Sequence, residues 1–360
     1  MFLSAKYSPI GVDLGRTTKL VQFRLKGTPP RPEATFTATL NAAVPNNGEN
    51  AEDRAEFVKD LRKALAAGKF GTRQAVVALP PSDVLLRPMT LPADEHDVAK
   101  KVRWEAESYL DYPTDEAVID HVVLGEAKTA GERRLEVIAA SAHKPKVLNA
   151  LDLLARAGLT TIAVDIIPLA LCRLIARTQQ VGDEAVAAAI DIGAHGTNAV
   201  IMSNDELRMA RPIAVGGDAL TEAIQAALEI SADEADILKC QHGIGAAATP
   251  GAGPAAQEEP NKIAHIVHDI LRDKLDTLAS ELQRLFRYFA AQNQGRTVSH
   301  VALFGGGGAL KRLDQLLTER LQTQAQAGAP LSAIVGEPVE LKKGHEGSFA
   351  VAAGLALRDS

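Results

Sequence analysis

The apolar and polar positions of the first 80 residues predict strands, a helix and then a further strand. Short apolar or alternating runs, which are typical of strands, occupy residues 9–14, 19–25, 33–40 and 74–79. Between the last two runs, Phe57, Leu61 and Leu65 recur at helical spacing. Pro80 and Pro81 end the final strand, because proline cannot donate a hydrogen bond to a neighbouring strand.

Residues 83–159 follow a different order and predict a unit of their own. The pattern predicts a strand at 84–91, a helix at 95–110, strands at 117–124 and 135–140, and a helix at 146–157. A strand at 160–166 and a helix at 168–177 then resume the earlier pattern. We therefore interpret residues 83–159 as a small α+β domain inserted into the first half of the chain.

The second half of the chain begins the same order of strands again. Strands are predicted at 186–192, 197–202, 206–213, 298–304 and 332–335, and helices at 219–228, 231–239, 263–291, 309–321 and 347–357. Residues 241–260 are rich in Gly, Ala and Pro and have no period, which is typical of a loop.

The repeated order predicts an α/β fold of two duplicated lobes. The first lobe is assigned residues 1–82 and 160–184, and the second residues 185–360, with 214–297 as a helical subdomain.

Composition and charge narrow the class of protein. The 360 residues carry a formal net charge of -6, so the chain has no overall positive charge that would attract nucleic acid or anionic lipid. No apolar run approaches the roughly 20 residues of a membrane helix, and the N-terminus lacks a signal-peptide core. Cys172 and Cys240 lack metal-ligand spacing and are interpreted as buried apolar residues. We expect a soluble cytoplasmic protein that does not insert into a membrane and reaches one only through a partner.

An Asp-x-Gly turn follows the first strand of each half, at Asp13 and at Asp191. Glycine lets such a turn bend until its amides point at one anion, while threonine hydroxyls add donors. An aspartate at the strand end can hold Mg²⁺ through water. We therefore predict that the two turns face each other and clamp the phosphates of one nucleotide, with both aspartates flanking the metal. The predicted contacts are Asp13, Gly15, Thr17, Thr18 and Lys19 in the first turn, and Asp191, Gly193, Gly196, Thr197 and Asn198 in the second.

A run of four glycines, Gly305, Gly306, Gly307 and Gly308, lies between a predicted strand and a predicted helix. In that position a glycine loop lets a ligand approach the backbone. The run lacks the Gly-Lys-Ser/Thr ending of a P-loop and does not fit a Rossmann fingerprint. With the two turns, it is interpreted as the floor under an adenosine.

These three motifs, in this order, resemble the actin-like nucleotide-binding superfamily, and within it the PilM family of type IV pilus assembly. The likeness extends over residues 10–357 and includes the segments 76–80, 103–107, 165–171 and 216–221. The insert resembles the small SHS2-like domain that this family shares with the cell-division protein FtsA. The resemblance implies that Gly216, Gly217, Glu234 and Lys239 also lie at the nucleotide. Arg16, on the first turn, is a further candidate contact, although it departs from the family pattern.

Three further residues have structural interpretations. Trp104 is predicted to pack within the insert, His195 to be a turn residue, and Tyr288 to lie on the solvated side of the long helix.

The resemblance implies an ATP- and Mg²⁺-binding adaptor on the cytoplasmic side of the inner membrane. Such an adaptor serves a type IV pilus or type II secretion-like platform and binds the N-terminal tail of a PilN-type membrane protein. Any ATPase activity is expected to be slow, because Asp13 and Asp191 are the only carboxylates placed near the phosphates, with Asp191 as the catalytic candidate.

Other readings stay open at this point. The first turn looks one residue shorter than that of the family, and Arg16 replaces its first serine, so Arg16 pairs with phosphate or fills the pocket. A degenerate scaffold without nucleotide is therefore one alternative. An FtsA-like division protein and a sugar or acetate kinase, which share the fold, are the others.

Overall fold

The structure is a computed structural model that describes residues 6–27, 31–40, 42–45, 50–92, 97–129, 132–178, 185–245, 260–341 and 345–358. The described strands are β1 (Ile10–Leu14), β2 (Thr18–Lys26), β3 (Arg31–Leu40), β4 (Gln74–Ala78), β5 (Val84–Pro92), β6 (Ala117–Thr129), β7 (Glu132–His143), β8 (Thr160–Asp165), β9 (Val186–Ile192), β10 (Thr197–Ser203), β11 (Glu206–Ile213), β12 (His300–Phe304) and β13 (Ala325–Ala327). The described α-helices are α1 (Ala51–Ala67), α2 (Val98–Ala106), α3 (Lys144–Arg156), α4 (Ile167–Thr178), α5 (Gly217–Leu228), α6 (Ala232–His242), α7 (Pro260–Gln292), α8 (Leu313–Leu321), α9 (Pro330–Val335) and α10 (Ala350–Ala356).

Two five-stranded sheets share one topology. Their orders are β3-β2-β1-β4-β8 and β11-β10-β9-β12-β13. In each sheet the first three strands of the half pair antiparallel, and the next two join parallel to the first strand. The central strand β9 is buried along its whole length, which explains its unbroken apolar sequence. The chain is therefore a duplicated α/β protein, as its sequence pattern predicts.

Helices α4 and α10 lie between the two sheets. Their apolar side chains share one core with β2 and β4 of the first sheet and with β9, β10 and β12 of the second. Two glycines make this layer possible: a Cβ at Gly11 would lie 1.9 Å from the Ala352 carbonyl oxygen, and one at Gly354 would lie 2.0 Å from that of Ala170. Helix α10, which the sequence pattern assigns to the second lobe, thus packs against β1 and β2 of the first.

Two further cores cover the outer faces of the sheets. Helices α1 and α3 pack on the first sheet, and α5, α7 and α8 pack on the second. None of the helices among the described residues is both long enough and apolar enough to cross a membrane.

Residues 83–159 contain a separate three-stranded sheet of order β5-β7-β6. Its small core joins α2 to β5 and β7 through Leu91, Val102, Val137 and Ala139. Helix α3 contacts β6 and β7 of this unit and also packs with α1 against the first sheet. The insert also reaches the second lobe, because Arg208 Nη1 on β11 donates to the carbonyl oxygen of Leu124 on β6 at 2.9 Å.

Several local predictions were wrong. Residues 332–335 belong to helix α9, which begins at Pro330, and the edge strand is instead β13, whose Ala-Gln-Ala sequence has no strand signal. The helices predicted at 95–110 and 309–321 begin later, at Val98 and Leu313. Most of the loop predicted at 241–260 lies outside the described residues.

Two side chains are also more exposed than predicted. Trp104 is 59% exposed, with the Lys101 ammonium over its ring. Cys172 is buried as predicted, but Cys240 is exposed.

Candidate functional site

The β1–β2 and β9–β10 turns occupy equivalent positions in the two sheets. Asp13 pairs with Lys19 across the first turn, and Asp191 pairs with Asn198 across the second. The backbone N–H groups of residues 15–17 and 194–196 have no acceptor within the described part of the chain. Consecutive amides of this kind form a concave anion-binding surface.

The two turns lie close enough for their carboxylates to influence each other. Burial raises the pKa of Asp191 to about 6, and the charge of Asp13 adds to this effect. A hydrogen bond from Asn198 and the charge of Lys19 oppose it. Burial also raises the pKa of Asp13, against the charge of Lys19, whose Nζ lies 4.0 Å from Asp13 Oδ2. Two carboxyl groups with raised pKa values beside the Lys19 ammonium form an electrostatically unsatisfied centre, which a divalent cation would stabilise.

The glycine run borders this centre at its first two residues. Gly305 has φ +78, and a Cβ there would lie 2.8 Å from Asp191 Oδ1, so only glycine fits. A Cβ at Gly306 would have no atom within 4 Å, which shows that this residue faces open space. Gly307 and Gly308 instead pack against Ile192 and Leu303. The run therefore contributes to the site through Gly305 and Gly306.

Two predicted phosphate donors have other roles. The Thr18 hydroxyl donates to the carbonyl oxygen of Ala42 at 3.1 Å, and the Thr197 hydroxyl donates to that of Val215 at 2.6 Å. Both threonines are buried. In this structure both hydroxyl protons are donated to backbone carbonyl groups, which fixes the walls of the turns.

Gly216 and Gly217 support the second turn. The Gly217 N–H donates to the Gly193 carbonyl oxygen at 2.9 Å, and a Cβ at Gly216 would lie 2.4 Å from the Gly196 nitrogen. The absence of side chains thus lets the start of α5 lie directly on the β9–β10 turn.

Lys239 and Glu234 are both engaged within the protein. Lys239 Nζ donates to the Gly217 carbonyl oxygen at 3.1 Å and to Thr221 Oγ1 at 2.7 Å, which joins α6 to α5 beside the site. Glu234 accepts from Ser231 N at 3.0 Å and so caps the N-terminus of its own helix. Its carboxylate is therefore committed to α6.

Two residues of the candidate site, Asp218 and His345, were not among the contacts predicted from the sequence. Asp218 Oδ1 accepts from the guanidinium of Arg16, and Oδ2 lies 2.7 Å from His195 Nδ1, so this one side chain connects the tips of both turns. His345 lies beside Gly306 and Lys19. Because Arg16 and Asp218 are 202 residues apart, no local signal could reveal their contact.

The donor set suits a metal held jointly with a ligand. Among the described residues there is no cluster of three or more His, Cys, Asp or Glu side chains that could hold a metal ion unaided. Asp13 and Asp191 would therefore supply charge to a hydrated Mg²⁺ that takes its remaining ligands from water and phosphate.

Comparison with protein families gives two matches. The family described as type IV pilus assembly protein PilM matches residues 11–250. The family described as cell division protein FtsA matches residues 188–354.

Comparison with solved structures gives a full-length likeness. A chain of the PilM–PilN type IV pilus biogenesis complex is 27% identical, with a TM-score of 0.75 and 98% of both chains covered. The ethanolamine utilization protein EutJ from Carboxydothermus hydrogenoformans is 16% identical, with a TM-score of 0.56 and 99% and 90% of the two chains covered. MreB5 of Spiroplasma citri bound to ADP is 10% identical, with a TM-score of 0.52 and 99% and 97% covered. The last two show a shared actin-like fold.

Proposed function

Because the chain belongs to the PilM family of type IV pilus assembly proteins, we propose that it is the actin-like adaptor of such a machine. In this role it binds the N-terminal tail of a PilN-type inner-membrane protein and is held at the membrane by that tail. The observation that carries the proposal is the likeness to a chain of the PilM–PilN complex over 98% of both chains. It also favours an adaptor over a division protein or a sugar kinase.

The edge strand β8 is the surface we propose for the tail. It pairs only with β4 among the described strands, and Ile162 and Val164 are 48% and 40% exposed. An extended peptide can add to such an edge through backbone hydrogen bonds, with apolar pockets for alternate side chains.

Peptide binding tests this surface. A synthetic peptide of the PilN-type N-terminus from the same organism is titrated into the wild type, Ile162→Asp and Ile237→Asp, the last being an equally exposed isoleucine on α6. We expect Ile162→Asp to weaken binding about tenfold or more and Ile237→Asp to leave it unchanged. Equal affinity for all three would place the tail elsewhere, and no binding to the wild type would refute the adaptor role.

We further propose that the candidate site between the β1–β2 and β9–β10 turns binds ATP with Mg²⁺. The free amides of the two turns would hold phosphate oxygens, Lys19 would add a cation, and the adenosine would lie over Gly306. The metal would neutralise phosphate charge and would be held through water by Asp13 and Asp191. Turnover is slow or absent, because both carboxylates serve the metal and neither is free to orient water. Bound nucleotide would then favour the closed arrangement of the lobes.

Calorimetric titration of Mg²⁺-ATP tests this part. Asp191→Ala removes one of the two carboxylates that would hold the metal, and Gly306→Val fills the open space beside Gly306. We therefore expect each change to abolish Mg²⁺-ATP binding while the chain stays folded. Asp269→Ala, an exposed carboxylate on α7, is the control. A wild type that binds no Mg²⁺-ATP would support a scaffold that has lost its nucleotide.

A further inference from the structure

His345 stands at the meeting point of three segments of the candidate site. It directly precedes the 3₁₀ turn Glu346–Phe349, and the N–H of Gly305 donates to the Gly347 carbonyl oxygen at 2.9 Å. That hydrogen bond holds the His345 segment against the glycine run. The imidazole lies beside the carbonyl of Gly306 and within the electrostatic influence of Lys19.

One ring nitrogen of His345 has no partner. The Nε2 atom is buried and makes no hydrogen bond within the described part of the chain. Burying a polar atom without a hydrogen-bond partner is unfavourable, so such atoms are uncommon unless a ligand or water supplies the partner. Its neighbour Gly306 faces open space, which leaves room for a ligand at this position.

We propose that His345 is a phosphate-binding residue of the nucleotide site, with Nε2 donating a hydrogen bond to a phosphate oxygen of a nucleoside di- or triphosphate. The inference rests on the proposed nucleotide binding. The ammonium of Lys19 and the imidazole of His345 then approach the anion together, Lys19 from the first turn and His345 from the segment before α10.

The proton inventory of the ring sets a condition on this role. Burial lowers the pKa of His345, a hydrogen bond to the carbonyl of Gly306 opposes the shift, and the charge of Lys19 lowers the pKa further. Because Nε2 has no partner, the N–H that donates to this carbonyl is that of Nδ1, which carries the single proton of the neutral ring. Nε2 therefore donates to phosphate only when the ring takes up a second proton, which the negative charge of the phosphate favours.

The test compares four proteins in Mg²⁺-ATP and Mg²⁺-ADP titrations: wild type, His345→Ala, His345→Gln and His300→Ala. Loss of a hydrogen bond to a charged group should weaken both nucleotides about tenfold in His345→Ala. His345→Gln keeps an N–H donor and should recover part of the affinity. His300 is an exposed histidine at the other end of β12, so His300→Ala should match the wild type.

A second measurement does not depend on how the variants fold. In the ¹⁵N-labelled wild type, addition of Mg²⁺-ADP should shift the His345 Nε2 resonance, whereas that of His300 should stay in place. An unchanged His345 resonance, or His345→Ala with affinity within twofold of a nucleotide-binding wild type, would overturn this inference alone. A wild type that binds neither nucleotide would remove the proposed function and this inference together.

Discussion

Asp191 is held in surroundings that oppose its charge. It is the next-to-last residue of the fully buried strand β9, and the charge of Asp13 in the other lobe acts on it. The folded pKa of about 6 exceeds the ordinary value of 3.8, so between these pH values the folded chain binds more protons than the unfolded chain. Stability from this group is therefore present at low pH and is lost as the pH rises through 6. A protein that tolerates such a group uses it for something other than folding.

The first prediction concerns this carboxyl group in protein free of metal and nucleotide. Asp191→Asn should raise the free energy of unfolding by about 1–3 kcal/mol at pH 7.5, because the amide carries no charge to bury. At pH 4 the gain should largely disappear, since the wild-type carboxyl is then protonated. Urea unfolding at both pH values measures the difference. A variant that is less stable than the wild type at pH 7.5 would contradict the electrostatic argument.

At the residue scale, the sequence reveals the site residues that belong to a local motif and does not reveal those whose contacts are distant in the chain. Asp13, Asp191 and the glycines of the turns are recognisable because a turn and its neighbouring strand lie within ten residues. The buried hydroxyl of Thr197 could not be anticipated, because its acceptor at Val215 is 18 residues away. His345 was missed for the same reason, since its neighbours Lys19 and Gly306 are distant in the chain.

At the scale of elements, the β1–β2 turn is tied to the start of α5. Arg16 lies on the β1–β2 turn and Asp218 in the first turn of α5, and their ion pair joins the two lobes at the candidate site. Arg16 is 65% exposed, so water screens the pair and its contribution to stability is small. We call this Arg16–Asp218 ion pair a clasp between the lobes.

The second prediction tests whether Arg16 acts as a clasp with Asp218 or as a phosphate contact. Arg16→Ser and Asp218→Ala should each speed the release of a fluorescent ATP analogue about twofold, and the double variant should be no faster than either single one. This non-additivity corresponds to a coupling energy of about 0.5 kcal/mol. Stopped-flow release measures the rates, with Arg31→Ser on β3 as an exposed-cation control. An equal effect of Arg16→Ser with and without Asp218 would identify Arg16 as a phosphate contact instead.

The boundaries of a strand or helix were predictable where the periodic pattern of apolar residues matches the residues that the fold buries. Strands β9 and β11 occupy the predicted residues 186–192 and 206–213, because each is a run of apolar or alternating residues between turn signals. Strand β13 was not predictable, because two of its three residues are exposed and pairing with β12 alone makes it a strand. Helix α9 was mistaken for a strand because its apolar positions fit both periods over so short a length.

At the scale of the whole molecule, the duplicated sheets are joined by an exchange of helices. Helix α4 belongs by sequence to the first half but packs on β9, β10 and β11, while α10 from the second half packs on β1 and β2. The strand pattern predicted two similar lobes. It could not predict this exchange, because an apolar helix carries no signal for which of two apolar sheets it will cover.

The third prediction tests the contact between these helices. A methyl group at Gly354 would overlap the Ala170 carbonyl oxygen, so Gly354→Ala should lower the free energy of unfolding by about 3 kcal/mol. Gly306→Ala adds the same atom in open space at φ −61 and should change stability by less than about 1 kcal/mol. Urea unfolding of both variants gives the comparison. Similar stabilities would mean that α4 and α10 are not in close contact.

The position of α10 also bears on how the chain emerges from the ribosome. The strands at residues 10–26 are made first, yet the helix that covers their inner face is at residues 350–356. The apolar side chains Val21 and Phe23 must therefore wait for nearly all of translation before their final neighbours exist. During that interval the nascent chain exposes an apolar surface that can aggregate. We therefore expect its folding to depend on a chaperone such as a ribosome-associated holdase.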